Sequence, residues 1–244
     1  MYTYIKGIMD LVPEGVSLED KFNKNALASS NEHQASTGKR GYVALRISRV
    51  NHNCDANAGR NYDDGASVEI LYAQRDIQPG EEVCISYCSF NNISIERRCP
   101  IVYNSSKNAN ELTPEEEFNC VKVLLESNWG ITCPVDCFCN DPVIKSLVVR
   151  ARQLRIDVDM WVHSQNRPMT ALKMIKDLLT IQDKVHSSLI SKAKTHYAAY
   201  EIASLCSRIE EEANEHIRLV YSVCSAICPY SANTATCLKV INNI

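Results

Sequence analysis

Hydrophobic and polar positions alternate in the first part of the chain, which predicts β-strands there. Three segments show the alternation that is typical of half-buried strands: Tyr42–Ile47, Ser67–Ala73 and Glu82–Tyr87. In the last of them, Val83 and Ile85 are the apolar positions. The stretch 51–65 is rich in Asn, Asp and Gly and is predicted to be loop, and Gln78–Glu81 is predicted to be a turn. Upstream, Glu19–Ala28 is predicted to be a short helix.

The second part of the chain carries helical signals instead. Thr113-Pro114-Glu115-Glu116 combines a capping box with proline at the first helical position, so a helix is predicted from there to about Asn128. A second helix is predicted to begin at Asp141-Pro142, and the helical period continues to about Cys228. Two stripes are predicted to face the core: Met169, Leu172, Ile175 and Leu179 in one, and Ala193, Tyr197, Tyr200 and Ser204 in the other.

Composition and charge narrow the class of protein. Of 244 residues, 45% are hydrophobic and 23% charged, and no apolar run approaches the length of about 18–20 residues that a membrane helix needs. Residues 1–10 lack the basic and apolar regions of a signal peptide. Residues 1–142 carry a net charge of −7 and the remainder +4, so nucleic-acid binding is not expected. An acidic surface can attract a basic peptide, although charge asymmetry is commonly only a solvated face.

Twelve cysteines are many for this length, and three of them lie in one short loop. Without a secretory signal they are predicted to be thiols or metal ligands rather than disulfides. Cys133, Cys137 and Cys139 place three thiols within reach of one zinc ion, which prefers four ligands. The candidates for the fourth ligand are Cys54, Cys88, Cys99 and His52. Buried free thiols are the alternative, and that alternative is favoured for Cys224 and Cys228.

Two blocks of residues precede this cysteine loop in the chain. The first reads Asn51-His52-Asn53-Cys54-Asp55-Ala56-Asn57, and the second reads Arg75-Asp76-Ile77-Gln78-Pro79-Gly80-Glu81-Glu82-Val83-Cys84-Ile85-Ser86-Tyr87. Together they resemble the SET domain, the protein-lysine methyltransferase fold, whose pattern is Asn-His-x-Cys-x-x-Asn and then Arg-Asp-Ile-x-x-Gly-Glu-Glu-x-x-x-x-Tyr. The order of blocks and cysteines is most similar to the SET and MYND branch and related fungal-type proteins, which add a post-SET zinc loop and a tetratricopeptide-like helical tail.

The resemblance implies a role for individual residues. The cofactor-binding residues that it implies are Asn25, Asn51, His52, Tyr87 and Ile131, with S-adenosylmethionine as the cofactor. Tyr87 is also the implied catalytic residue, because the family's tyrosine points its hydroxyl at the transferring methyl group. Cys54 is implied as the fourth ligand of a structural zinc ion, beside Cys133, Cys137 and Cys139.

Two family features are missing from this sequence. No Gly-x-Gly turn occurs among Gly7, Gly15 and Gly38, and no cysteine precedes Cys54, so the MYND zinc finger is absent. We therefore expect the chain to begin within a SET protein. Ala56 also replaces the proline that the family usually has. The missing glycine turn predicts that activity is reduced or lost.

The expected fold is α+β, in three parts. Residues 1–90 are predicted to be a partial SET β-fold, 91–141 a connecting helix and the post-SET zinc loop, and 142–244 a helical domain. The expected function is S-adenosylmethionine-dependent methylation of a lysine in a basic protein or peptide, in the cytosol or nucleus. The alternative is a non-enzymatic, zinc-stabilised interaction module, which the missing Gly-x-Gly favours, whereas the intact motif blocks favour the enzyme.

Overall fold

The computed structural model describes residues 46–87, 114–164 and 168–243. In those ranges the strands are β1 (Asn51–His52), β2 (Ala58–Asp63), β3 (Val68–Ala73) and β4 (Cys84–Ile85). The helices are α1 (Pro114–Trp129), α2 (Pro142–Ser164), α3 (Pro168–Lys184), α4 (Leu189–Ser204), α5 (Glu210–Ile227) and α6 (Ala232–Asn242). This mixed, predominantly helical content agrees with the expected α+β class. The predicted helix Glu19–Ala28 lies outside the described residues.

Strands β2 and β3 form an antiparallel hairpin, paired from Ala58 opposite Ala73 to Asp63 opposite Val68. The prediction of β3 is confirmed, but the prediction that 51–65 is loop is wrong, because β1 and β2 both lie within it. The polar sequence of β2 has little intrinsic strand preference, and its pairing with β3 determines its conformation. The carboxylate of Asp63 closes the hairpin by accepting hydrogen bonds from the amides of Gly65 and Ala66.

Strands β1 and β4 pair in parallel, with Asn51 opposite Cys84 and His52 opposite Ile85. The predicted strand Glu82–Tyr87 is shorter in the structure. Of its two apolar positions, Val83 is 39% exposed and Ile85 is buried. The predicted strand Tyr42–Ile47 is described only at its end, where the chain forms a 3-10 helix, Ile47–Arg49, instead of a strand.

The predicted helix boundaries near the cysteine loop are confirmed. Helix α1 begins at Pro114 and ends at Trp129, where Gly130 has a φ of +66°. The amides of Gly130 and Ile131 donate to the carbonyls of Glu126 and Leu125, which terminates the helix. Helix α2 begins at Pro142 as predicted, and the carboxylate of Asp141 accepts a hydrogen bond from the amide of Val143.

Helices α2 to α6 pack so that each contacts the next along the chain. Leu172 and Ile175 of the first predicted stripe are buried, but Met169 is 61% exposed, and the buried face continues through Leu178. In α4 the predicted Ala193 is buried and Tyr197 and Tyr200 are partly buried, whereas Ser204 is exposed. Its place in the core is taken by three neighbours: Ala199, Ile202 and Ala203.

The β-hairpin contacts the helical domain through the loop between α5 and α6. Asp63 is fully buried, and its Oδ2 accepts a hydrogen bond from the amide of Tyr230 at 3.0 Å. Asn61 Nδ2 donates to the sulfur of Cys228 at 2.9 Å. A Cβ at Gly65 would lie 1.8 Å from the carbonyl oxygen of Tyr230, so only glycine permits this approach. No helix within the described ranges is long and apolar enough to span a bilayer.

Candidate zinc centre and cofactor site

Four cysteines from two distant segments meet at one point. Cys54 follows β1 directly, and Cys133, Cys137 and Cys139 lie in the loop between α1 and α2. The sulfur of Cys54 lies 3.6 Å from that of Cys133, and the sulfurs of Cys137 and Cys139 are 3.4 Å apart. All four sulfurs lie within 4.8 Å of one another. Within the part of the chain that the structure describes, these four cysteines form a group that could hold a metal ion.

The spacing of the four sulfurs fits a tetrahedral zinc ion. With Zn–S bonds of about 2.3 Å, any two sulfurs of such a site lie about 3.8 Å apart. The separations in the structure, 3.4 Å to at most 4.8 Å, bracket that value. Four thiolates form a closed structural site with no position for substrate, so zinc here would act on folding and not on chemistry.

The loop is held in shape by its own backbone and by one asparagine. The carbonyl of Pro134 accepts a hydrogen bond from the amide of Cys137 and another from Nδ2 of Asn140. Asn140 Oδ1 accepts a hydrogen bond from the Lys122 ammonium on α1. These hydrogen bonds hold the backbone of the cysteine loop in a tight turn and connect it to α1.

The four cysteines change one another's protonation. Burial raises the pKa of Cys54, and repulsion from the other three thiolates raises it further. Burial raises the pKa of Cys139 to about 12. For Cys137, burial is outweighed by hydrogen bonds from Cys139, Cys54 and Cys133, which lower its pKa. A divalent cation bound to the four sulfurs would displace the remaining protons and compensate the repulsion between the thiolates.

The parallel pairing of β1 with β4 brings the two motif blocks together. His52 Nδ1 accepts a hydrogen bond from the amide of Tyr87 at 3.0 Å, and the two rings lie 5.3 Å apart. Trp129 packs on the other side of Tyr87, with ring centres 5.2 Å apart. His52 Nε2 lies 3.3 Å from the sulfur of Cys54. One aromatic group therefore joins the motif blocks to the cysteine cluster.

The polar ends of these residues already have partners. The Tyr87 hydroxyl donates to the backbone carbonyl of Val50 at 2.7 Å. Burial raises the pKa of Tyr87, so its hydroxyl is protonated at neutral pH. Asn51 is exposed, and its Nδ2 donates to Glu82 Oε1 at 2.6 Å.

Asn57 links the two motif blocks, and it lies in the stretch 51–65 that was predicted to be loop. It is 2% exposed, and its Nδ2 donates to Glu81 Oε1 and to the carbonyl of Glu82. Its Oδ1 accepts a hydrogen bond from the amide of Cys84. Asn57 thus connects the first motif block to the second, and its place as the last residue of the Asn-His-x-Cys-x-x-Asn pattern was the available signal.

Glu81, which Asn57 contacts, is itself held by an ion pair. Its Oε1 lies 2.6 Å from Arg75 Nη2, and its Oε2 accepts a hydrogen bond from the amide of Gln78. These contacts, the one with Arg75 first, lower the pKa of Glu81 to about 2. The predicted turn over Gln78–Glu81 is confirmed, with Gly80 at a φ of +85°.

Three of the remaining predicted positions, Asn25, Cys88 and Cys99, lie outside the described residues. Ile131 follows Gly130 and is half-buried, and its aromatic neighbour Trp129 is the residue with a ring contact to Tyr87.

Among the described residues, the cysteines outside the cluster are free thiols except Cys120. Cys228 is buried and Cys224 is partly buried against the core of α5 and α6, which confirms both as core thiols. Cys120 is disulfide-bonded, contrary to the expectation for the chain as a whole. It is fully buried within α1, where a sulfur has no contact with water.

Comparison with known families agrees with this geometry. Residues 10–88 match the family model of the SET domain. The match includes both motif blocks and ends directly after Tyr87, and it supports a SET domain in this part of the chain. No curated protein matches the chain.

Proposed function

We propose that this protein is an S-adenosylmethionine-dependent protein-lysine methyltransferase of the SET class. The observation that carries the proposal is the parallel pairing of β1 with β4, in which Asn51 lies opposite Cys84 and His52 contacts Tyr87. The SET-domain match over residues 10–88 supports the same class. Asn51 and His52 would hold the cofactor, together with Asn25 and Ile131.

The chemistry of methyl transfer accounts for the kinds of residue at this site. S-adenosylmethionine, when bound, supplies the methyl group from a sulfonium. The protein must align a neutral lysine amine with that methyl group, and an aromatic surface such as Tyr87 with Trp129 desolvates the amine and lowers its pKa. A tyrosine hydroxyl and backbone carbonyls can stabilise the developing charges. The Tyr87 hydroxyl and the Val50 carbonyl already lie together.

Zinc has a structural role in this proposal. Cys54 comes two residues after His52, so an ion held by Cys54 and the loop cysteines would fix the end of β1. The same ion would fix the loop that follows Trp129. Both sides of the aromatic group would then be anchored by one metal centre.

The finer features of the proposal rest on resemblance. We propose the SET and MYND-like branch, with tetratricopeptide-like character for α2 to α6, which is supported by each helix packing on the next. The division into 1–90, 91–141 and 142–244 is part of the same proposal. A basic, lysine-containing protein or peptide is the proposed substrate, supported by the net charge of −7 over residues 1–142. The cytosol or the nucleus is the proposed compartment.

A non-enzymatic interaction module is the second candidate. It is favoured by the missing Gly-x-Gly turn and by the Tyr87 hydroxyl, which is committed to Val50 at 2.7 Å. In that case the zinc centre and the helices would preserve a peptide-binding surface without a cofactor.

Transfer of radiolabelled methyl groups to a set of lysine peptides separates the two candidates. We expect label on lysine with the unsubstituted chain, and a loss of at least tenfold in turnover with Tyr87→Phe at unchanged cofactor affinity. Tyr230→Phe is the matched control, because Tyr230 is 72% exposed and lies at the helical loop. Peptide binding without any transfer would favour the interaction module, and equal turnover in both variants would remove Tyr87 from the mechanism.

A further inference from the structure

A second pair of metal-ligating side chains lies in the helical domain, on helices that carry none of the four clustered cysteines. His196 on α4 and His216 on α5 face each other, with their Nδ1 atoms 3.0 Å apart and their ring centres 5.1 Å apart. We propose that this pair binds a divalent metal ion of the zinc class through both Nδ1 atoms, with water completing the coordination. Neutral imidazole is the commonest protein ligand for such ions.

The separation of the two rings fits a shared ion. A tetrahedral zinc with Zn–N bonds of about 2.05 Å places two imidazole nitrogens about 3.3 Å apart and their ring centres about 5.2 Å apart. The values in the structure are 3.0 Å and 5.1 Å. A movement of a few tenths of an ångström between α4 and α5 therefore admits the ion.

The other nitrogen of His216 supports this assignment. Nε2 is buried and makes no hydrogen bond to any of the described residues, and Glu212 Oε1 lies 4.0 Å away, one helical turn back. Metal coordination at Nδ1 requires the proton to lie on Nε2. Glu212 Oε1 is beyond hydrogen-bond distance of Nε2 in this structure and is paired with Lys176 Nζ at 2.9 Å. A metal-bound histidine commonly donates its second N–H to a carboxylate, so we expect Glu212 to move within hydrogen-bond distance of Nε2 when the metal binds.

The charges around the pair also favour a cation. The charged groups that face it are Lys176 and Asp183 from α3, Lys192 from α4, and Glu212 and Glu215 from α5. Each lysine forms an ion pair with a carboxylate: Lys192 with Asp183 at 2.7 Å and Lys176 with Glu212 at 2.9 Å. Because these two ion pairs are neutral, Glu215 gives the five charged groups around the histidine pair a net charge of −1.

The protonation of both histidines suits metal binding. Burial lowers the pKa of His196, and the neighbouring His216 lowers it further. Burial also lowers the pKa of His216. Both imidazoles are therefore neutral at pH 7, which is the form that binds metal.

Zinc titration of the full chain, with the cysteine cluster already loaded, tests the proposal. We expect calorimetry to detect one further equivalent of zinc in the unsubstituted protein and in His186→Gln, the control histidine, which is half-exposed and outside the pair. His196→Gln and His216→Gln should each lose that equivalent. Added zinc should raise the melting temperature of the first two proteins and not of the last two.

Cobalt binding keeps this site distinguishable from the cysteine cluster. When the cysteine cluster is filled with zinc, cobalt at the histidine pair should give d–d absorption without an intense thiolate charge-transfer band. If a histidine variant does not fold, imidazole ¹⁵N shifts of the unsubstituted chain during zinc addition give the same answer. The proposal is overturned by a folded unsubstituted chain that takes up no further equivalent, which would leave a simple imidazole–imidazole hydrogen bond. Histidine variants that bind zinc as tightly as the unsubstituted chain would also overturn it.

Discussion

The two regions of this molecule are held together in different ways. The β-region, residues 46–87 with the cysteine loop, has two short paired sheets and a small apolar cluster of Ile47, Ala58 and Ile85. The helical domain has two larger clusters of buried residues, most of them Leu, Ile, Val and Ala. In the β-region, the hydrogen bonds of Asn57 to Glu81, Glu82 and Cys84, which form a polar clip, and a candidate zinc centre compensate for the smaller apolar cluster.

From this difference we expect a single substitution to destabilise mainly the region that contains it. Removing a metal ligand should affect the β-region and spare the helices, and a core cavity should do the reverse. The fluorescence of the two tryptophans reports on the regions separately. Trp129 lies in tilted ring contact with Tyr87, and Trp161 packs against the helical core. A Trp161→Phe background isolates the signal of Trp129.

The largest effect is expected for Cys137→Ser. Structural zinc contributes about 10–16 kcal/mol of apparent binding free energy in small zinc domains, and that energy is coupled to folding. The variant should lose zinc and lose the cooperative change in Trp129 fluorescence, while helical circular dichroism persists. Cys206→Ser is the control, because Cys206 is a free thiol outside the cluster. Unchanged zinc content in Cys137→Ser, measured by mass spectrometry, would contradict the ligand assignment.

A cavity in the helical core should have the opposite pattern. Ile175 is fully buried on α3, and truncating such a residue costs about 2–5 kcal/mol. Ile175→Ala should lower the denaturation midpoint of the helical domain and leave zinc content unchanged. Met169→Ala on the same helix is the matched control, since Met169 is 61% exposed. Equal destabilisation by the two variants in urea unfolding would show that the buried face of α3 is misassigned.

The next largest effect is expected for the polar clip, the hydrogen bonds of Asn57. Asn57→Ala removes three hydrogen bonds and leaves the buried amide of Cys84 without its partner, which costs about 1–3 kcal/mol. Asn51→Ala is the useful contrast, because Asn51 is exposed and should affect cofactor affinity more than stability. Thermal unfolding followed by Trp129 measures the first effect. A stability loss in Asn51→Ala as large as that in Asn57→Ala would contradict the role of the clip.

The smallest effect is expected at His186, which forms a second, half-exposed contact between the two regions. His186, in the turn between α3 and α4, lies 2.6 Å from Asp55 and stacks on Phe138 of the cysteine loop. The His186 side chain is half-exposed, so His186→Gln should cost less than about 1 kcal/mol in denaturant unfolding. A cost equal to that of Asn57→Ala would mean that the two regions depend on each other for stability.

The helical domain was the more predictable region, because proline, glycine and the 3.6-residue period act locally. Pro114, Gly130 and Pro142 marked helix ends that the structure confirms. The wrong predictions concern residues whose conformation or burial depends on tertiary contacts. Strand β2 has a polar sequence and depends on β3, and Met169 lies just before Ala171, the first buried residue of α3.

The candidate site divides in the same way between local and distant signals. Three cysteines within seven residues indicated a metal site, but the spacing alone left four candidates for the fourth ligand. Cys54 lies 79 residues from Cys133 in the sequence, and only the fold brings their sulfurs to 3.6 Å. The contacts of Asn57 with the second motif block and of Trp129 with Tyr87 are also products of the fold, and no local pattern predicts them.

The central claim is that the zinc-anchored β-region holds a cofactor site of the SET class. The most direct test is a calorimetric titration of S-adenosylmethionine into zinc-loaded protein that melts cooperatively. The account predicts saturable one-to-one binding, weakened by Asn51→Ala and absent in Cys137→Ser. No binding to the folded, zinc-loaded protein would contradict it.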